Sequence, residues 1–407
     1  MIKTNFAKAS AFYAKALKDF DIKIDDVALF IPHQITKYLT LKTCEILGLP
    51  VERTVDLIGN HGNIGCSSIP LAIAQNLENG KLKLGSGQQL VIFGFGKRSN
   101  VPLNTDNIFS KLVESGSVVK MTDGAYAYTG LFLQVYRYFC RKIDEFGKKH
   151  FNGIQEFEES VLYPVKEYET GHYFESFPHH IMFQTTMKSD AELLERFSKN
   201  GTNDSTIFSN DNMKRPENVV RHAACVPIYP MLKDAYIPAD SPKYYLISGK
   251  CFRNEGANVY ELARLNEFYM KEFVCIGTLE QTLDMIKSAR ALWEEWIDTF
   301  NLNCTIETAN DSFFASNYKK LKIFQILGDS KQEFRVYIPD GDFFCAVSSS
   351  NVHRTHFTKT YNIHNDNSFC QSSCFAFGIE RLSYALLSQK GVDIDKWDEA
   401  TRKEIFG

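Results

Sequence analysis

The chain has 407 residues, 44% hydrophobic and 23% charged, with a formal net charge of −3. This length favours two domains, and the composition is that of an ordinary globular protein. No basic surplus marks a nucleic-acid footprint, no run of 18 apolar residues marks a membrane span, and the start MIKTNFAKASAF lacks a signal-peptide core, so a cytoplasmic protein is expected, its ten cysteines free thiols or metal ligands.

In chain order, periodicity predicts a helix over about Phe6–Phe20, a strand at Val27–Ile31, helices at Thr36–Leu47 and Ser68–Leu77, and a strand at Leu90–Phe95. This alternation fits half of an α/β layered domain. The polar, turn-rich Val101–Asp106 follows the buried-strand pattern QQLVIFGFG and sets a boundary: one module over residues 1–100, a linker at 101–106, and a second domain over 107–407. Beyond it come long amphipathic helices at about Tyr128–Phe146 and Leu279–Thr299. Strand-like runs KYYLISGKCF, NEFYMKEFVCIG, KLKIFQIL, EFRVYIP and FFCAVSSSN surround the second. Strands in succession with helices set apart predict an antiparallel α+β domain. The polar segment Lys199–Val219 reads as an inserted loop.

Two stretches carry the chemistry. CFRNEGANVYELARLNEFYMKEF (Cys251–Phe273) reads as a strand with Arg253 and Glu255, a loop, and a second strand with Arg264 and Phe268. CFAFGIERLSYALL (Cys374–Leu387) reads as a strand entering a helix that opens with Gly378, Glu380 and Arg381. Fixed guanidinium groups, a carboxylate and an aromatic plane are what a bent nucleoside triphosphate requires. The pair resembles motifs 2 and 3 of class II aminoacyl-tRNA synthetases. GHYFESFPHH (Gly171–His180) is similar to motif 1, HAACVPIYPMLKD to the segment before motif 2, and SSSNVHRTHF (Ser348–Phe357) to the strand before motif 3. Within that class the region resembles the truncated seryl-tRNA-synthetase-like amino acid–carrier-protein ligases.

The resemblance implies an antiparallel class II sheet flanked by helices, and roles for individual residues. Arg253 would grip the α-phosphate, and Glu255 would hold the adenine amino group or order the loop. Arg264, with Leu265 beside it, would reach the phosphates or adenine edge, and Phe268 would stack on the base. Arg381 would clamp the γ-phosphate with Mg²⁺, while Ser349 and Asn351 would contact the adenylate. Cys225, Glu272 and Cys374 lie in three elements that such a sheet would bring together. They would hold a Zn²⁺ with one open position for the substrate's α-amino group, Glu272 thereby also touching the amino acid. Cys370 is an alternative ligand, but the pattern C…FGIER favours Cys374. The implied reaction is ATP-dependent activation of a small amino acid (glycine, alanine or serine) and transfer to the phosphopantetheine thiol of a carrier protein, by a homodimer. Seryl-tRNA charging is the alternative, and the negative net charge weighs against tRNA.

DVALFIPHQITKYLTLKTCEILGLP and GNHGNIGCSSIPLAIAQNLENGKLKLGSGQQLVIFGFG are similar to the C-terminal half of 3-oxoacyl-[acyl-carrier-protein] synthase III, a thiolase-fold condensing enzyme. The resemblance makes His33 and Asn63 its catalytic pair. The half carrying the nucleophilic cysteine is absent, GFGKRSN replaces the expected glycine run, and Cys66 falls where small packing residues belong. The module is therefore expected to be inactive alone, with a condensing or scaffold role as the alternative. His179, His180, His353 and His356 find no cysteine or carboxylate partner by spacing, and their pairing reads as accidental.

Overall fold

The computed structural model describes residues 27–31, 89–92, 104, 106–308, 331–366 and 368–407. The chain divides into two units, the larger built mainly from Arg98–Cys304 and Phe334–Gly407. In the smaller unit, strands β1 (Val27–Ile31) and β2 (Gln89–Ile92) pair in parallel, as an α/β layer requires. The helices expected before the boundary, and His33, Asn63 and Cys66, lie outside the described residues, as does KLKIFQIL.

The larger unit opens with helix α1 (Ile108–Glu114), the hairpin β3 (Val118–Thr122) and β4 (Ala125–Tyr128), and the long helix α2 (Gly130–His150). Next come β5 (Gln155–Glu158) and a three-stranded antiparallel sheet in the order β6 (Leu162–Pro164), β8 (Asn218–Val220), β7 (Met182–Gln184). The main sheet adds β9 (Lys243–Phe252), β10 (Glu267–Gly277), β12 (Lys331–Ile338), β13 (Phe343–Arg354) and β14 (Gln371–Gly378), in the order β12-β13-β14-β10-β9-β5, while β11 (Cys304–Thr308) falls, past Cys304, in the smaller unit. β10 is antiparallel to both β9 and β14, β13 is antiparallel to β14, and β5 joins β9 in parallel. Helices α3 (Leu279–Thr299) and α4 (Ile379–Lys390) complete the unit with the terminal helix α5 (Glu399–Phe406).

The period of two along each strand separates the faces of this sheet. Lys271, Phe273, Phe375 and Phe377 turn toward the long helices: Lys271 pairs with Asp144 of α2 at 2.6 Å, and Trp296 of α3 meets Phe377 edge-on at 5.9 Å. Phe139 of α2 meets Trp296 edge-on at 5.0 Å, closing the aromatic core. α3 starts where Thr278 and Gln281 cap each other reciprocally, through a 2.8 Å bond from Thr278 N to Gln281 Oε1 and a 3.3 Å bond back. Alternate residues face the other way. On β10 these are Phe268, Met270, Glu272 and Val274; on β14, Cys374 and Ala376; on β13, Ser349 and Asn351. Registers Glu272↔Ala376, Val274↔Cys374, Ser349↔Ala376 and Asn351↔Cys374 place them on one surface.

Candidate active site

At one end of that surface Cys225, Glu272 and Cys374 converge. Their ligand atoms lie within 4.8 Å of one another, and all three residues are buried. Cys225 sits on the segment between β8 and the short helix Ile228–Met231. The Glu272 carboxylate holds that segment, its Oε1 accepting the N–H groups of Ala224 (2.9 Å) and Cys225 (3.1 Å). Further back, Arg221 is fully buried under β9, donating from Nε to Lys250 O (2.9 Å) and from Nη2 to Ser248 O (3.1 Å). Gly249 makes room for it: a Cβ there would come within 1.9 Å of Arg221 Nη2, and its φ of +135° suits glycine.

Hydrogen bonding to Cys374, burial and the Glu272 charge push the Cys225 thiol well above its ordinary range. Cys374 is also raised: the bond from Cys225 opposes the rise, while burial and Glu272 drive it. Two thiols beside a buried carboxylate cannot ionise together without a cation. A divalent, thiophilic ion suits this donor set, and three protein ligands leave a fourth tetrahedral position open. Cys370, the alternative ligand, is buried but not among the three that converge.

The residues expected to hold a nucleotide lie on this face, in the loop between β9 and β10, and at the start of α4. The expected strand placement of three of them needs correction. Arg253 and Glu255 fall just beyond β9, which stops at Phe252, and Arg264 lies in the loop before β10. The chain leaves the strand because Asn266 ties the loop: Arg253 N donates to Asn266 O (2.9 Å), Glu255 N to Asn266 Oδ1 (2.9 Å), and Asn266 Nδ2 to Asp123 O (2.9 Å). A turn at Gly256–Asn258 with φ of +53° at Gly256 completes the departure.

Within this loop Arg253 donates from Nε to His222 O (3.0 Å), and its guanidinium lies 5.1 Å from the centre of the Phe268 ring. Glu255, 7% exposed, accepts from Arg264 Nη1 at 3.1 Å. Leu265 is buried beside Arg264. Arg381, on the first turn of α4, donates from Nη1 to Ala346 O (3.1 Å). Its pKa is lowered by burial and by the positive charges of Arg253 and Arg264, with Glu255 acting the other way. Three guanidinium groups thus share one field, which a polyanion would relieve. Asn351 Nδ2 lies within 3.5 Å of both Ser349 Oγ and Cys374 Sγ, beside the thiols on this face.

Four supporting groups escaped the sequence reading as site residues. Asn266 and Arg221 carry no motif. Glu380 stands inside FGIER; it is fully buried and accepts Tyr269 N with both oxygens (2.9 and 2.8 Å), joining the start of α4 to β10. His353 was set aside on spacing, yet its Nε2 lies 3.6 Å from Cys374 Sγ. His179 and His180 lie elsewhere, rings 4.0 Å apart, and His180 O accepts from Asn254 N (3.0 Å) beside Arg253.

Comparison with known proteins bears on the fold that carries these residues. Residues 208–390 match the tRNA synthetase class II core domain (G, H, P, S and T), and residues 17–98 match the C-terminal domain of 3-oxoacyl-[acyl-carrier-protein] synthase III. Amino acid–[acyl-carrier-protein] ligase 1 of Bradyrhizobium diazoefficiens is 25% identical over 307 residues, 74% of this chain and 89% of that protein. The type-2 serine–tRNA ligase of Methanocaldococcus jannaschii is 28% identical over 270 residues, 62% of this chain, and the match spans only 50% of that protein. Among solved structures, M. kandleri SerRS in complex with A. aeolicus tRNASec superposes with a TM-score of 0.63 at 20% identity, over 86% of this chain and 70% of that one. The C-terminal region of this chain therefore has the class II synthetase fold, and its N-terminal region resembles a synthase III C-terminal domain.

Proposed function

We propose that the protein activates a small amino acid with ATP and passes it to the phosphopantetheine thiol of a carrier protein. The observation that supports this most is the pairing, about one sheet, of a thiol–carboxylate cluster that has Asn351 beside it with a cluster of three guanidinium groups sharing one field. In the first step a carboxylate oxygen of the amino acid attacks the α-phosphorus, the bond to the β-phosphate breaks, and pyrophosphate leaves. Arg253 holds the α-phosphate where negative charge accumulates, and Arg381 with Arg264 hold the outer phosphates of ATP, which arrives with its Mg²⁺. Phe268 offers a face to the adenine and Glu255 keeps the Arg264 loop in place. In the second step the thiol gives up its proton and its sulfur attacks the activated carbonyl carbon; the mixed-anhydride C–O bond breaks, and AMP leaves as the thioester forms.

Zn²⁺ bound by Cys225, Glu272 and Cys374 would accept the neutral α-amine as fourth ligand and so fix the amino acid's orientation. Asn351 and Ser349 then lie where the carboxylate must pass to reach ATP. The name of the Bradyrhizobium relative, and the 89% of its length spanned, favour the carrier protein as acceptor. Transfer to tRNA is the second reading, supported by the serine–tRNA ligases, of which the match spans about half. A division into a synthase-like module at 1–100, a linker at 101–106 and a ligase domain at 107–407, working as a cytoplasmic dimer, completes the proposal. No described helix is long and apolar enough to cross a membrane.

Amino-acid-dependent ATP–pyrophosphate exchange tests the reading. Exchange confined to one or two small amino acids and lost on zinc chelation is the expected result. No exchange with any of the twenty would leave a protein whose role is binding alone.

A further inference from the structure

His353 is the extra residue of a bulge. β13 pairs Val352 with Ser373 and then Arg354, rather than His353, with Ser372. Arg354 has φ of +54°. Bulges re-aim side chains and gather beside functional sites. Here the imidazole lies against the edge of Phe357, centroids 5.0 Å apart at 80°, with Nε2 3.6 Å from Cys374 Sγ and Nδ1 3.0 Å from Tyr229 Oη. Tyr229 is itself fixed: it is buried, stacked on Phe357 at 4.4 Å and 24°, and four residues after Cys225.

The phenol has one proton and two neighbours, His353 Nδ1 at 3.0 Å and Ser372 Oγ at 3.5 Å. Donation to the nearer puts the imidazole proton on Nε2, aimed at the sulfur of Cys374. Asn351 Nδ2 reaches the same sulfur at 3.5 Å. Cys374 would then be a thiolate held by two N–H donors, as metal-ligating groups are commonly held by partners behind them.

We propose that His353 is a positioning residue for this centre: its Nε2–H, set by Tyr229, orients the Cys374 thiolate and tunes how firmly the sulfur binds the ion. The inference rests on the metal-centre reading of Cys225, Glu272 and Cys374. It assigns to His353 a bond to the ligand sulfur and none to substrate.

The test uses the full chain loaded with zinc or cobalt(II), reading zinc affinity by competition with a chromophoric chelator and the sulfur-to-cobalt charge-transfer band. His353→Phe keeps the ring packing on Phe357 and removes the donor. It should weaken zinc binding about 10- to 100-fold and move the band to lower energy, because the sulfur loses a hydrogen bond. His353→Gln, which restores an N–H near Nε2, should recover most of both. Wild-type affinity and band position in the Phe variant would overturn the role of His353 while leaving the metal centre standing. So would a folded Gln variant as impaired as Phe. Failure of the wild-type protein to take up stoichiometric zinc would overturn the metal-centre reading and this inference with it.

Discussion

Arg253 owes its position to three neighbours: the His222 carbonyl fixes Nε, Asn266 fixes the backbone, and the Phe268 ring underlies the guanidinium. A donor so held would lose little entropy on meeting a phosphate, and in the proposed reaction its charge would face the α-phosphorus as negative charge gathers there. Arg253→Ala should therefore lower pyrophosphate exchange about 10²- to 10³-fold, the usual cost of one such donor, with a smaller change in amino acid affinity. An unchanged exchange rate would remove Arg253 from the transition state. Arg253, Glu255, Arg264 and Arg381 stand out in the sequence as candidates because they lie in short motifs. The tie at Asn266 does not, since a residue that holds a loop by two side-chain hydrogen bonds and one backbone bond leaves no periodic signal. His353 is an instructive case between the two. By spacing it reads as accidental, yet the bulge between Val352 and Arg354 turns it toward Cys374, and nothing in the sequence marks that bulge.

At the scale of elements, β9 and α3 fall on the residues the alternation and the 3.6-residue period assign, Lys243–Phe252 and Leu279–Thr299. Strands buried on both faces read as continuous apolar runs, and the Thr278–Gln281 cap marks the start of α3. The join between β10 and α4 was not legible, because it is made by the buried Glu380 carboxylate accepting Tyr269 N, a contact between segments far apart in the chain. Burial raises Glu380 from its ordinary 4.5 to about 7, against the pull of Lys250 and the Tyr269 N–H. Its folded pKa lies above its unfolded one, so the folded state binds the extra proton between these values, and stability falls as pH rises through that window. Glu380→Gln mimics the neutral acid and abolishes this dependence. The stability of the Gln variant relative to wild type should rise between pH 5 and pH 8, by on the order of 2 kcal/mol, in denaturant titrations. A pH-independent difference would mean that Glu380 is already ionised in the fold at pH 5.

For the molecule as a whole, the thiol–carboxylate cluster joins the segment after β8, the central strand β10 and its neighbour β14. The residues packed around it, among them Tyr229, Ile247, Val274 and Ala376, form one buried cluster. An ion bound there to the native state only, at about 1,000 times its dissociation constant, would add about 4 kcal/mol of stability. Removing it leaves two thiols beside a buried carboxylate, a set that can be neutral only by taking up protons. For a unit of this size each kcal/mol shifts the midpoint by roughly 2–4 °C, so chelation should lower the thermal midpoint by on the order of 10 °C, with recovery on adding zinc back. The guanidinium cluster hangs on Asn266, His222 and Ala346 rather than on the cluster of thiols, so ATP should still bind the metal-depleted protein below that midpoint. Calorimetry with and without ATP, on chelated and reloaded protein, separates the two ends of the face. A midpoint indifferent to chelation would mean that Cys225, Glu272 and Cys374 are held together by packing alone, and the amine would need another anchor.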